Sequence, residues 1–184
     1  MMKRNVHETR NMILCGLFTA LIAVGAFIKV PVPVVPFTLQ FLFTTLAGLF
    51  LGGRLGAISV ILYVALGLMG VPIFASGGGL SYVFQPSFGY LIGFVVGTWL
   101  TGTIVHKTKN PSGRRIFIGC FSGLMVVYVF GMIYYWLIST FYLGTGIGLW
   151  PLFLYCFLLA VPGDIVLCIL SAILGKRLIP IINK

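Results

Sequence analysis

The stretch "LLAVPGDIVLCIL" carries Asp164, an acid set inside a long apolar segment; the chain's only other acid, Glu8, stands in the N-terminal tail. Placing a charge at the middle of a span costs about 2.5–3.5 kcal/mol on insertion scales, so such a residue marks a functional site by default. Pro162 removes a backbone donor and Gly163 loosens the helix, so either carbonyls near residue 158 are freed or a new helix begins at Pro162. In the second case the carboxylate lies near a helix N-terminus, where its charge is favoured. Broken helices at membrane depth line cavities. Asp164 is therefore expected to face a polar pocket; the alternative is an acid that caps its own helix or bonds a neighbouring Tyr or Ser.

A second group of residues lies in "FASGGGLSYVFQPSFGYLIGF", residues 74–94, between segments that are almost wholly apolar. Gly77, Gly78 and Gly79 permit positive φ and close backbone approach to a guest, while Tyr82, Phe84, Phe88 and Tyr90 offer apolar faces and hydroxyl tips. In "KVPVPVVPFT", residues 29–38, Pro31, Pro33 and Pro36 hold an extended, stiff strap. With "LGTGIGLW", residues 143–150, these nearly uncharged loops would surround one mouth as a lid and platform over a small, partly apolar molecule. Taken alone, a glycine-rich turn with interfacial aromatics needs no ligand.

Other chemistries lack their residues. The sequence has no GxxxxGK[ST] phosphate loop and no HExxH, and His7 and His106 fall at segment ends. A buried acid without a matched base or nucleophile leaves no catalytic set, so no enzyme activity, metal or cofactor is expected. Cys15, Cys120, Cys156 and Cys168 sit apart in apolar segments, with neither a disulfide framework nor a CxxC metal spacing.

The elements that must position these residues are membrane helices. With 184 residues, 60% hydrophobic and 8% charged, the chain exposes too much apolar surface for a soluble domain of this size. One membrane domain over residues 1–184 is expected, an all-α bundle of six spans near 11–28, 37–53, 54–71, 86–106, 116–141 and 150–175. The basic lead "KRNVHETR" suits a signal peptide, but no small-x-small cleavage site follows, so the first span is expected to be retained.

The net charge of +10 falls between spans rather than in a nucleic-acid patch. With both termini cytoplasmic, all of the twelve basic residues except Lys29 are cytoplasmic, as the positive-inside rule requires. Four-residue glycine spacings (Gly89, Gly93 and Gly97; Gly48 and Gly52; Gly119 and Gly123) predict close helix packing. Gly16 and Ala20 form another such pair, serving either an internal neighbour or another protein.

Four stretches together resemble the BioY family, the biotin-specific substrate-binding S components of energy-coupling factor (ECF) vitamin transporters. They are "GLFTALIAVGAFIKVPVPVVPFTLQ", "LAGLFLGGRLGAISVILYVALGLMGVPIFASGGG", "QPSFGYLIGF" and "VPGDIVLCIL", in that order. The resemblance implies a six-helix fold in the cell membrane that captures biotin from outside and delivers it when docked to a transmembrane coupling protein carrying two ATPases. It implies docking through the Gly16 and Ala20 face, a lid at Pro31, Pro33 and Pro36, and Gln40 near the pocket. Gly77, Gly78, Tyr82, Gln85, Gly89 and Tyr90 would complete the binding wall around Asp164, whose "PGD" setting is intact. Two departures stand out: Leu167 replaces the lysine of the family's usual PGDxxK, and Gln85 and Phe88 replace glycines of its platform. Lys29 could compensate by reaching over the mouth. The departures keep open an S component for another small vitamin-like ligand, and a ligand-free membrane scaffold is the reading from a different class.

Overall fold

The computed structural model describes residues 2–30 and 37–182, so the lid prolines Pro31, Pro33 and Pro36 lie outside the described residues. Its elements are α1 (Met2–Phe27), β1 (Lys29–Val30), β2 (Phe37–Thr38), α2 (Gln40–Leu68), α3 (Phe88–Val105), α4 (Gly113–Leu137), α5 (Leu149–Phe153) and α6 (Val161–Ile182). A 3₁₀ turn at Leu80–Phe84 precedes α3, and π-helical turns at Ile138–Tyr142 and Leu154–Leu158 follow α4 and α5. Among the described residues, five helical runs are long and apolar enough to cross a membrane: Glu8–Phe27, Gln40–Leu68, Phe88–Val105, Gly113–Tyr142 and Leu149–Ile181.

The expected spans 37–53 and 54–71 join in α2, whose backbone leaves helical geometry at Gly52 (φ 80°, ψ 174°). Only glycine takes that conformation without steric penalty, and it reverses the chain. Gln40 and Tyr63 are 23 residues apart yet hydrogen-bonded at 2.7 Å, whereas an unbroken helix would separate them by roughly 34 Å. Residues 37 and 38, expected to open a helix, instead pair antiparallel with β1, Thr38 opposite Lys29. The last span also differs from a single helix: it is α5, a π-turn and α6, which runs to Ile182.

Small residues hold the bundle at the predicted spacings except at Gly52, which turns the chain instead of packing a helix. The Gly89, Gly93 and Gly97 stripe of α3 lies against Tyr134, Val127 and Gly123 of α4, and a Cβ on Gly97 would come within 2.8 Å of the Gly123 carbonyl oxygen. Such close backbone approach supplies the dispersion contacts that lipid cannot, because lipid tails are as apolar as the side chains. Ile22, Leu49, Val60, Val105, Ile116 and Leu124 are wholly buried, while Trp99, Ile133 and Val166 face outward as a lipid-contacting surface does.

The two ends of the bundle differ in charge. His106 Nε2 lies 2.9 Å from the Leu49 carbonyl beside the Gly52 reversal, Lys176 packs over Gly113, and Cys15 of α1 reaches Leu55. Arg10, Arg54, Lys107, Lys109, Arg114, Arg115, Lys176 and Arg177 thus gather toward one end. Lys29 sits at the other, with the hairpin and the glycine-rich loop.

Candidate solute-binding site

The end with the hairpin and the glycine-rich loop holds an open-mouthed cavity that Asp164 lines. Asp164 stands in the first turn of α6, its N–H donating to Ala160 O at 3.2 Å. Pro162 belongs to the same first turn, where its missing N–H has no helical partner to lose, so "PGD" starts α6 cleanly after the π-turn. The carboxylate is 7% exposed and accepts a hydrogen bond from the Tyr128 hydroxyl of α4. Gly163 allows the Phe37 ring to lie over this turn, since a Cβ there would meet the ring at 2.9 Å.

An ionised carboxylate has about four acceptor positions, and Tyr128 takes one. Those that remain belong to a group lining the cavity. The arrangement therefore suits a guest that presents N–H or O–H donors.

The aromatic walls are locked by their own polar contacts. Tyr90 donates to the Cys156 carbonyl of the π-turn at 3.3 Å and meets Tyr128 edge-on at 6.3 Å. Tyr82 packs on Phe74 at 4.5 Å, and its hydroxyl lies 3.2 Å from Ser87 Oγ. Gln40 is the first residue of α2; its Nε2 donates to Tyr63 Oη at 2.7 Å, and its Oε1 accepts from Thr38 Oγ1 at 3.1 Å. Tyr63 passes the chain of bonds on to Ile73 O at 2.9 Å. One donor and one acceptor position of the Gln40 amide are left over. Phe37, Phe41 and Phe94 complete an apolar lining with a few fixed polar groups, the usual make-up of a small-molecule site.

The structure brings Gln40, Tyr82, Tyr90 and Asp164 to one cavity. It does not bring Gly77, Gly78 or Gln85 there. Gly77 exchanges backbone hydrogen bonds with Phe74 (2.9 and 3.2 Å), so its amide is spent inside the loop. Gly78 is wedged against the Val71 carbonyl, and Gln85 is exposed after the 3₁₀ turn. These residues shape a loop whose contributions to the wall are Ala75 and Tyr82. Gly89 faces Tyr134 rather than the cavity.

Sequence reasoning missed Tyr128, the partner of Asp164, as well as Thr38, Ser87 and Tyr155. The only signal for Tyr128 was the general need of a buried acid for a donor, and α4 carries other tyrosines in equally apolar surroundings. Leu167 is buried in the apolar core. Gly16 and Ala20 are exposed on α1, and no atom lies within 4 Å of where a Gly16 Cβ would stand.

The model of the BioY family matches residues 1–184. The chain is 39% identical over 171 residues to the probable biotin transporter BioY of Lysinibacillus sphaericus, covering 93% of this chain and 87% of the relative. It is 41% identical over 124 residues to the biotin transporter BioY of Thermotoga maritima, covering 67% of this chain and 72% of the relative. Its fold is similar to the crystal structure of the S-component for biotin from an ECF-type ABC transporter, with a TM-score of 0.83 and 28% identity over 95% of this chain and 93% of that one.

Proposed function

The chain belongs to the BioY family, and on that footing we propose that it is the biotin-binding membrane subunit of an ECF-type ABC transporter. It captures and hands on a solute rather than transforming one. The observation that carries this reading is the buried carboxylate of Asp164 lining a largely aromatic cavity. Biotin has a ureido head with two N–H donors, an apolar fused ring and a valerate tail. The donors bond Asp164, and the rings pack against Tyr90, Tyr82 and Phe94.

In this reading the chain crosses the membrane six times, the Gly52 reversal dividing α2 into two crossings, supported by the folded-back Gln40 and Tyr63 contact. The positively charged end faces the cytoplasm with both termini, and the cavity opens outward. The strap at Pro31, Pro33 and Pro36 is the lid, and the exposed Gly16 and Ala20 face docks a transmembrane coupling protein with its two ATPases. No cofactor takes part.

A second reading is favoured by Leu167, buried where the resemblance expects a cation: a relative of biotin with an uncharged tail. Mass spectrometry of the molecule that copurifies from cells tests both. The mass of biotin supports the first, and a different small molecule supports the second. Protein that copurifies empty and gives no heat on titration with biotin overturns the assignment.

A further inference from the structure

Lys29 is the charged side chain at the mouth end of the bundle that the proposed site leaves unused. Two contacts hold its exposed side chain beside the cavity lining. Its backbone pairs with Thr38, a lining residue, across the β1–β2 hairpin, and Leu39 N–H donates to Ile28 O at 3.1 Å to fix the hairpin on α1. Its Nζ donates to the carbonyl oxygen of Ala75, another lining residue, at 2.9 Å. The Lys29 side chain thus reaches from β1 to the glycine-rich loop.

That partner is a neutral carbonyl, and an ammonium has three donors. The chain's two acids both stand away from it: Asp164 is buried in the first turn of α6, and Glu8 lies about three-quarters of the way down α1 from the hairpin. Exchanging or sharing the carbonyl with a carboxylate makes a charge-assisted bond about twice as strong as a neutral one.

We propose that Lys29 receives the carboxylate of the ligand's tail at the mouth while Asp164 holds its donor-bearing head, so that the pair selects a solute with a donor head and an anionic tail. This inference rests on the biotin reading above. It places the tail cation on the hairpin rather than on α6, where Leu167 is apolar.

The test titrates biotin and its neutral amide, biotinamide, into the purified full-length chain and into Lys29→Gln and Lys29→Arg. The expected result is a fall of about five- to tenfold or more for biotin with Lys29→Gln, the range between an exposed and a charge-assisted contact. Biotinamide affinity stays unchanged by that substitution, and Lys29→Arg restores biotin. Equal losses for both ligands would make Lys29 a clasp for the loop alone, and no loss for either would remove it from the site; each overturns this inference while leaving the biotin reading intact. Wild-type protein that binds neither compound overturns both.

Discussion

Replacing Asp164 by Asn isolates what the buried carboxylate does. Asn keeps the shape and one oxygen, and the Tyr128 hydroxyl, which now donates to Oδ2, has an acceptor to keep. With the amide oxygen turned to Tyr128, its NH₂ group faces the cavity, where the proposed ureido donors would arrive. One charge-assisted bond falls to a neutral one and a second meets a donor instead of an acceptor. At about 1.5–3 kcal/mol per charge-assisted bond and 0.5–1.5 for a neutral one, the total loss is about 2–4 kcal/mol. That is roughly 30- to 1,000-fold in Kd. Isothermal titration of biotin into wild type and Asp164→Asn measures it, with thermal unfolding followed in parallel. The unfolding midpoint should move little, because Tyr128 stays paired. A folded Asp164→Asn that binds biotin within about twofold of wild type would refute the reasoning, since a carboxylate receiving the ureido head cannot lose its charge so cheaply.

Three further outcomes are expected. Tyr128→Phe removes the donor that Asp164 holds, so stability should fall by about 1 kcal/mol, with biotin affinity reduced less than in Asp164→Asn; an unchanged unfolding midpoint would show that the bond contributes nothing. Gly97→Leu drives a side chain into the Gly123 backbone and should cost about 1–3 kcal/mol or more through overpacking, seen as a lower unfolding midpoint and loss of the monodisperse peak in size-exclusion chromatography; a wild-type melting curve contradicts the packing account. Gly16→Leu meets no atom within 4 Å, so stability and biotin affinity should match wild type while uptake by cells and copurification with the coupling protein decline; undiminished uptake takes this face out of docking.

What the sequence made legible follows from the strength of each physical signal. Span positions were readable because twenty apolar residues have few other uses, and the α3–α4 seam because glycine at four-residue spacing is a local property of one helix. Asp164 was readable because charge in an apolar run is costly wherever it points. The Gly52 reversal was not, since a single glycine with positive φ looks like the glycines that merely pack, and "LGGRLG" suggests a longer connection around Arg54 than the one-residue break that forms. Gly77 and Gly78 fall outside the cavity lining for the related reason that loop glycines serve either a guest or the loop itself: the Gly77 amide pairs with Phe74, and Gly78 packs on the Val71 carbonyl. Tyr128 escaped because its role is set by a neighbour 36 residues away, and no periodicity within α4 records that distance.

The position of the cavity constrains what the chain can do alone. Phe94 and Val127 lie at its deeper side, and beyond them α3 and α4 meet backbone to backbone at Gly97 and Gly123. The hydroxyls further along are spent on carbonyls, Thr98 on Thr44 O at 3.2 Å and Thr101 on Gly119 O at 3.0 Å, and Val105, Ile116 and Leu49 close the interior without exposure. Among the described residues Ser171 Oγ is the buried side-chain polar atom without a partner, and one hydroxyl makes no wet path. A solute held at Asp164 therefore leaves by the mouth unless the helices part, and parting them forfeits the close Gly97 and Gly123 contacts that hold α3 on α4.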